Sequence, residues 1–312
     1  MPTPSPLTAL AHPRSMDLAT WGLLVALGLI WGASFFFGRV AVAHIPPFTL
    51  VLARVSIAAL ALHLAFGRMP GFYALLTARW RALLLMGLLN NAIPFTLIFA
   101  GQTQIGAGLA SILNATTPLW TVLVTQVLTS DEKISRAKLI GCALGIAGTV
   151  LLIGPAALGQ ADTPLWAKLA VIGAAISYGF ATAWGKRFRD LPPRVTATGQ
   201  LTASSLIMLP VALLWDQPWQ LAVPPLPVIG AVLALALVST AFAYIIFFRI
   251  LSRAGATATS LVTLLVPPSA ILLGVLFLGE SLSLLEACGM GLIALGLLSL
   301  DNRLAITRRA TG

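Results

Sequence analysis

Three prolines lie within long apolar stretches, each four residues after a polar one: Asn90 with Pro94, Asn114 with Pro118, and Thr263 with Pro267. A proline inside a helix has no N–H to give, so the carbonyl four residues earlier loses its donor. In hydrocarbon that carbonyl must find another partner or face a polar cavity. The chemistry on offer is binding rather than bond making. A freed carbonyl or an Asn oxygen accepts from an ammonium group, and an Asn amide or a Thr hydroxyl donates to a carboxylate. Asn91 adds a second amide beside Asn90. The competing reading of any one position is that the polar side chain serves only its own broken turn.

The groups that a reaction would need are missing. The histidines are His12, His44 and His63, and no His-Glu-x-x-His pattern occurs. Gly32-Ala33-Ser34-Phe35 echoes a short intramembrane serine motif but has no histidine on a later helix to act as its base. The stretch from Gly179 to Lys186 fails as a phosphate loop, with five residues between its glycines and Arg187 where Ser or Thr is needed. Cys142 and Cys288 sit in apolar runs, where cysteine behaves as a small hydrophobe. An enzyme is therefore the disfavoured class, and no disulfide, metal or cofactor is expected.

These residues are carried by a chain of 312 residues that is 58% hydrophobic and 9% charged, with mean hydropathy +0.96. Its solvent is a bilayer. The +10 formal charge is spread between apolar stretches instead of gathered in a patch, which argues against a nucleic-acid partner. A span needs about 20 apolar residues. Punctuation by Pro, Gly and charge predicts ten, near 18–43, 48–66, 80–101, 105–128, 136–154, 165–186, 195–215, 226–251, 256–279 and 283–300. Alternate loops then hold 16 of the 19 basic residues on one side, with Arg39 and Lys168 opposite and Arg54 within the second span. By the positive-inside rule both termini are cytoplasmic, in a multi-pass plasma membrane of bacterial inner-membrane type. Trp21, Trp80, Trp166 and Trp219 lie near span ends as interfacial anchors.

The chain also resembles itself. Asn90 to Gly106 lies over Ser239 to Gly255 at an offset of 149, which carries Phe95 onto Tyr244, Ser111 onto Ser260 and Pro118 onto Pro267. A one-residue shift then matches Glu132 with Glu280, Gly141 with Gly289 and Gly148 with Gly296. Five spans per copy is odd, so the copies enter the membrane from opposite sides. The predicted fold is an all-α integral membrane protein of ten transmembrane helices as two inverted five-helix repeats. Its organisation is a disordered cytoplasmic tail 1–17, a first repeat 18–154, a linker 155–164, a second repeat 165–301 and a cytoplasmic tail 302–312. Inverted repeats are typical of secondary transporters, with substrate held between them near the midplane. Gly28/Gly32 and Gly141/Gly145 have the spacing of close helix contacts.

The paired stretches GAGLASILNATTPLWTVLVTQVLTSDE and GATATSLVTLLVPPSAILLGVLFLGE, with WGASFFFGR near the start, resemble the fourth, ninth and first helices of the EamA-type drug/metabolite transporters. Within that superfamily the nearest resemblance is to exporters of aromatic amino acids. Two positions depart from the pattern: Ser130-Asp131-Glu132 stands where a Gly-Glu pair is usual, and Tyr178 where the sixth helix often has Trp. The resemblance implies export of small metabolites by alternating access, and it places Trp31, Phe35, Tyr178 and Tyr244 on cavity-lining helices. Those aromatics join Asn90, Asn91, Asn114 and Thr263 as candidate substrate-binding residues, with Pro94, Pro118 and Pro267 as hinges. For Trp31 and Phe35, one turn apart, helix packing or lipid contact is the equal alternative.

No Asp or Glu falls near mid-bilayer, since Glu132, Glu280 and Glu286 lie at or near helix ends. A small polar substrate without net charge, neutral or zwitterionic and above all an amino acid, is the expected partner beside membrane lipid, and efflux of other amphipathic metabolites or drugs is the alternative. Movement down the substrate's own gradient is the expected coupling, because no midplane carboxylate is present to relay protons. Oligomeric state is open, and a monomer suffices. Arg54 is assigned to snorkelling or a structural bond, its approximate counterpart in the second repeat being Gln200. Single cysteines introduced at 157–163 should react with impermeant reagents from outside the cell, and those at 187–193 only from the cytoplasm. The opposite pattern would reverse the orientation.

Overall fold

The computed structural model describes residues 18–128, 140–151 apart from 142 and 149, 163–250 apart from 189 and 248, and 262–300. Both predicted tails, most of the predicted linker and the Ser130-Asp131-Glu132 segment lie outside the described residues. Regular structure is helical, with no strand among the described residues. The helices are α1 (Leu18–Val42), α2 (Pro47–Phe66), α3 (Phe72–Ala78), α4 (Trp80–Gly87), α5 (Ile93–Gln102), α6 (Ala107–Asn114), α7 (Thr117–Leu128), α8 (140–151), α9 (Leu165–Gly185), α10 (Pro193–Trp215), α11 (Leu226–Leu233), α12 (Val262–Leu278) and α13 (Leu284–Leu300). Among the described residues seven helical stretches are long and apolar enough to cross a membrane, running from Leu18–Val42 to Leu226–Phe247. Leu265–Leu278 and Leu284–Gly296 are shorter apolar helices.

Two of these stretches contain π-helical turns. Leu88–Ala92 joins α4 to α5, and Ala234–Phe242 follows α11. Prolines punctuate the helix starts: Pro47 and Pro193 occupy first positions, where the absent N–H has no intrahelical partner to lose.

Helix packing runs α1 against α12, α2 against α10, and α5 and α7 against α9. Buried residues from many of these helices form one large apolar core that includes Leu50, Val55, Phe99, Ile112, Leu113 and Leu201. Where α8 meets α13 the approach is reciprocal. A Cβ on Gly148 would lie 2.7 Å from the Gly289 carbonyl, and one on Gly296 would lie 2.7 Å from the Gly141 carbonyl. These are the four glycines that the internal alignment matches, 141 with 289 and 148 with 296.

The few acids fasten helix starts. Asp216, after α10, accepts from the backbone N of Thr49 at 2.7 Å and from its hydroxyl at 3.0 Å, in the first turn of α2. Ser283 and Glu286 make a reciprocal capping box, the Ser283 N donating to Glu286 Oε2 at 2.8 Å and the Glu286 N to Ser283 Oγ at 3.2 Å. Glu280 reaches further. Gly279, at φ 65°, ends α12 in a conformation other residues resist, and the chain then turns so that the Glu280 carboxylate accepts from the N of Ala107 at 2.7 Å and of Gly108 at 3.0 Å. A negative charge on the exposed N–H groups of α6 is favoured by the helix dipole. Glu280→Ala should lower stability by about 1 kcal/mol, as loss of an N-cap does, and Glu280→Gln by less. Thermal unfolding in detergent measures both.

Candidate functional site

Pro94 opens α5, and the turn before it is π-helical, with the N–H of Ile93 bonding to the carbonyl of Leu88 five residues back. In that register the carbonyl that Pro94 leaves without a donor is Leu89's, not Asn90's as an α-helix would have it. Ser177 of α9 supplies the donor, its hydroxyl bonding to Leu89 O at 2.7 Å. The fault is healed by a neighbouring helix, and the extra residue in the turn carries Asn90 and Asn91 into the space between helices.

There the Asn90 amide donates to Gln200 Oε1 of α10 at 2.9 Å and lies 3.4 Å from the Tyr244 hydroxyl. The Asn91 amide also approaches the Tyr244 hydroxyl at 3.4 Å, and its Oδ1 is buried with no partner among the described residues. Asn91 and Gln200 are 0% and 2% exposed, so this is interior polarity.

Arg54 of α2 lies in the same region. It is 6% exposed, and its Nε donates to the Thr240 hydroxyl at 2.9 Å. The guanidinium carbon stands 3.8 Å from the centre of the Phe95 ring and 5.7 Å from that of Phe99. Tyr178 and Tyr244 lie within electrostatic range of it. Thr240 in turn donates to the Leu235 carbonyl, five residues back in the second π segment, at 2.8 Å. Of the two roles open to Arg54, the structure shows the structural bond and not snorkelling: seven residues into α2 is about 10 Å from its start, and the side chain turns inward onto aromatic faces.

The structure brings Asn90, Asn91 and Tyr244 together, with Tyr178 close by. It does not gather all the candidates. Phe35 is a 7%-exposed core residue whose carbonyl accepts from Gln102 Nε2 at 2.7 Å. Trp31 packs against Phe247 with ring centroids 5.7 Å apart. Asn114 ends α6, and the helix breaks at Ala115 and Thr116 before α7 begins at Thr117. The carbonyl that Pro118 frees there is taken by the Thr117 hydroxyl at 2.7 Å, while Asn114 Oδ1 stays buried with no partner among the described residues. Thr263 is half-buried in the first turn of α12 and is itself engaged by an interaction. Pro267 is buried within α12, which runs through it as one helix, so the helix is interrupted next to one of the two matched prolines and not at the other.

Sequence reasoning paired Arg54 with Gln200 but placed neither in the site, and it missed Thr240 and Ser177. A signal for the first two was present: aligning Pro46-Pro47 with Pro192-Pro193 sets Arg54 over Gln200, two polar residues at one position of matched helices. Thr240 is likewise the offset partner of Asn91.

The EamA-like transporter family matches residues 20–154 and again residues 165–300. The chain belongs to that family. It is a membrane transporter, and its partner is a small-molecule substrate. The chain is 29% identical over 285 residues to the inner membrane transporter YedA of Escherichia coli (strain K12), covering 88% of each chain. It is 23% identical to the transporter YoaV of Bacillus subtilis (strain 168), over 92% of this chain and 97% of the relative. A relative from Streptantibioticus cattleyicolor, 25% identical over 94% of this chain and 96% of its own length, is named as a terminal-alkyne amino-acid exporter. A solved crystal structure matches 95% of this chain and all of its own with TM-score 0.62 at 21% identity, a likeness of fold.

Ser177→Ala leaves the Leu89 carbonyl without a donor and should cost about 1 kcal/mol of stability. In a Pro94→Ala background, where position 94 regains an N–H, the same change should cost less than half as much. A double-mutant cycle on thermal unfolding reads the coupling; equal costs in both backgrounds would break the link between the two residues.

Proposed function

We propose that this transporter exports small polar metabolites, foremost amino acids and among them aromatic ones, by alternating access between two inverted five-helix repeats. The observation that carries the reading is the cluster of half-buried Asn90 and Tyr244 with buried Asn91, Gln200 and Arg54, contributed by helices of both halves and held on aromatic surface. Polar groups this far from water are costly unless they are satisfied or serve a ligand. The mixture of amide donors, amide oxygens and aromatic faces suits a zwitterion with an apolar side chain. The name of the S. cattleyicolor relative points the same way.

The ten-span doubled layout draws support from three features. The family matches two stretches of similar length. The contact between α8 and α13 pairs Gly148 with Gly289 and Gly296 with Gly141, as a two-fold axis between two copies requires. The π turns at Leu88–Ala92 and Ala234–Phe242 overlap once the offset of 149 is applied. The distribution of basic loops supports cytoplasmic termini, and the inner-membrane name of YedA supports the cell inner membrane.

In this scheme Asn114 and Thr263 add polar contacts deeper in the cavity, and Pro94, Pro118 and Pro267 are bending points. The break between α6 and α7 makes Pro118 the principal hinge. Reconstitution in liposomes with labelled amino acids, organic cations and phosphorylated sugars tests the reading: amino-acid flux without any imposed proton gradient is expected, and flux confined to the cations would overturn it. Asn114→Ala should weaken substrate binding by about 1 kcal/mol. Pro118→Ala, which restores a helical N–H, should slow turnover more than it weakens binding. Wild-type turnover by a folded Pro118→Ala protein would remove the hinge.

A further inference from the structure

We propose that Arg54 is the anchor for a single carboxylate of the substrate. The inference rests on the transport reading above and assigns its charge recognition to one side chain. A guanidinium carries five N–H donors in a planar fork. In Arg54 the Nε–H is taken by Thr240, and the two terminal nitrogens have no hydrogen-bond partner among the described residues. The described acids lie elsewhere: Asp216 caps α2, Glu280 caps α6, Glu286 pairs with Ser283, and Asp190 pairs with Arg79. A buried cation with four N–H groups unspent and no counter-ion is costly, and a carboxylate on the paired terminal N–H groups is the fork-to-fork geometry that offsets the cost best.

The surroundings fix the direction and the charge of the ligand. Phe95 covers one face of the guanidinium and Thr240 holds its Nε edge, so a ligand approaches in the plane at the terminal edge. Tyr178 and Tyr244 lie within electrostatic range of the cation, and the Asn91 oxygen is an unspent acceptor on the same helix stretch as Phe95. That acceptor suits the ammonium of the same zwitterion after a small rearrangement of the amide. One cation answers one negative charge. A phosphate ester carries close to two and calls for a second Lys or Arg, but Arg39 is bonded to the Gln102 carbonyl and Lys168, the other basic residue assigned to that side, is itself engaged. A bare organic cation is repelled.

The test uses the full chain in liposomes, with L-phenylalanine, L-leucine and L-threonine as probes, each against its carboxamide. Wild-type protein should move the acids at least about tenfold better than the amides, the discrimination expected of charge-assisted hydrogen bonds. Arg54→Gln should bring the acid down to the level of the amide, and Arg54→Lys should recover part of the difference, which a merely structural role would not produce. Competition by glycerol 3-phosphate should be weak. The comparison of acid with amide on wild-type protein stands even if a variant fails to fold. Movement of the amino acids with no preference over their amides overturns the anchor alone, as does a folded Arg54→Gln protein that keeps the preference. Stronger competition by glycerol 3-phosphate than by any amino acid overturns the single-carboxylate assignment. Failure of wild-type protein to move any amino acid overturns the transport reading itself.

Discussion

In hydrocarbon every backbone N–H and carbonyl must be satisfied within the protein, and the fold is arranged around that requirement. Several departures from regular helix come with a hydroxyl that bonds a carbonyl there. Thr117 bonds the Asn114 carbonyl at the break in the fourth span, Thr116 the carbonyl of Leu113, and Ser177 that of Leu89. Ser269, beside the paired prolines of α12, reaches the Val266 carbonyl of its own helix at 2.9 Å and the Gly28 carbonyl of α1 at 3.1 Å. The hydroxyls therefore do two things at once: they allow irregular turns, and they tie the irregular helix to its neighbour.

With the backbone satisfied in this way, the unsatisfied side-chain atoms stand out. Among the described residues they are Asn91 Oδ1, Gln102 Oε1, Asn114 Oδ1 and Thr196 Oγ. Asn91 belongs to the cluster around Arg54, and Asn114 sits at the broken helix. A structure that bonds the carbonyls at its π turn and helix break yet leaves amide oxygens and a guanidinium edge unspent concentrates its capacity to bind at a few atoms. Apolar surroundings strengthen what those atoms can offer, because the low local dielectric that makes them costly alone makes them effective when paired.

Much of the architecture was legible in the sequence. Apolar run lengths and punctuation located spans such as 18–43 and 195–215 within two residues of α1 and α10. Asn90, Asn91 and Tyr244 were legible because a polar residue near a proline, or at an aligned position, is unusual in an apolar helix. What could not be read was register. One extra residue in a turn rotates everything beyond it by roughly 100° relative to a regular helix, so counting four back from Pro94 named Asn90 where the π turn gives Leu89. For Arg54 the sequence left snorkelling and a structural bond open, because its surroundings come from α5 and the second π segment and could not be read along its own helix. Ser177 and Thr240 look like ordinary small polar residues until their partners on other helices are known. The cluster is a tertiary fact, assembled from helices remote in sequence.

The two π turns differ in one respect. A π turn is a dislocation, one surplus residue inserted into the helical ladder. In the first half that dislocation is pinned, because Pro94 has no N–H to give and Ser177 holds the carbonyl it abandons. The stretch Ala234–Phe242 is nine residues long and contains no proline. Within it Thr240 bonds the Leu235 carbonyl and accepts from Arg54, so the segment carries side-chain ties of its own. The molecule thus sets a proline-locked π turn opposite a proline-free one across its polar centre.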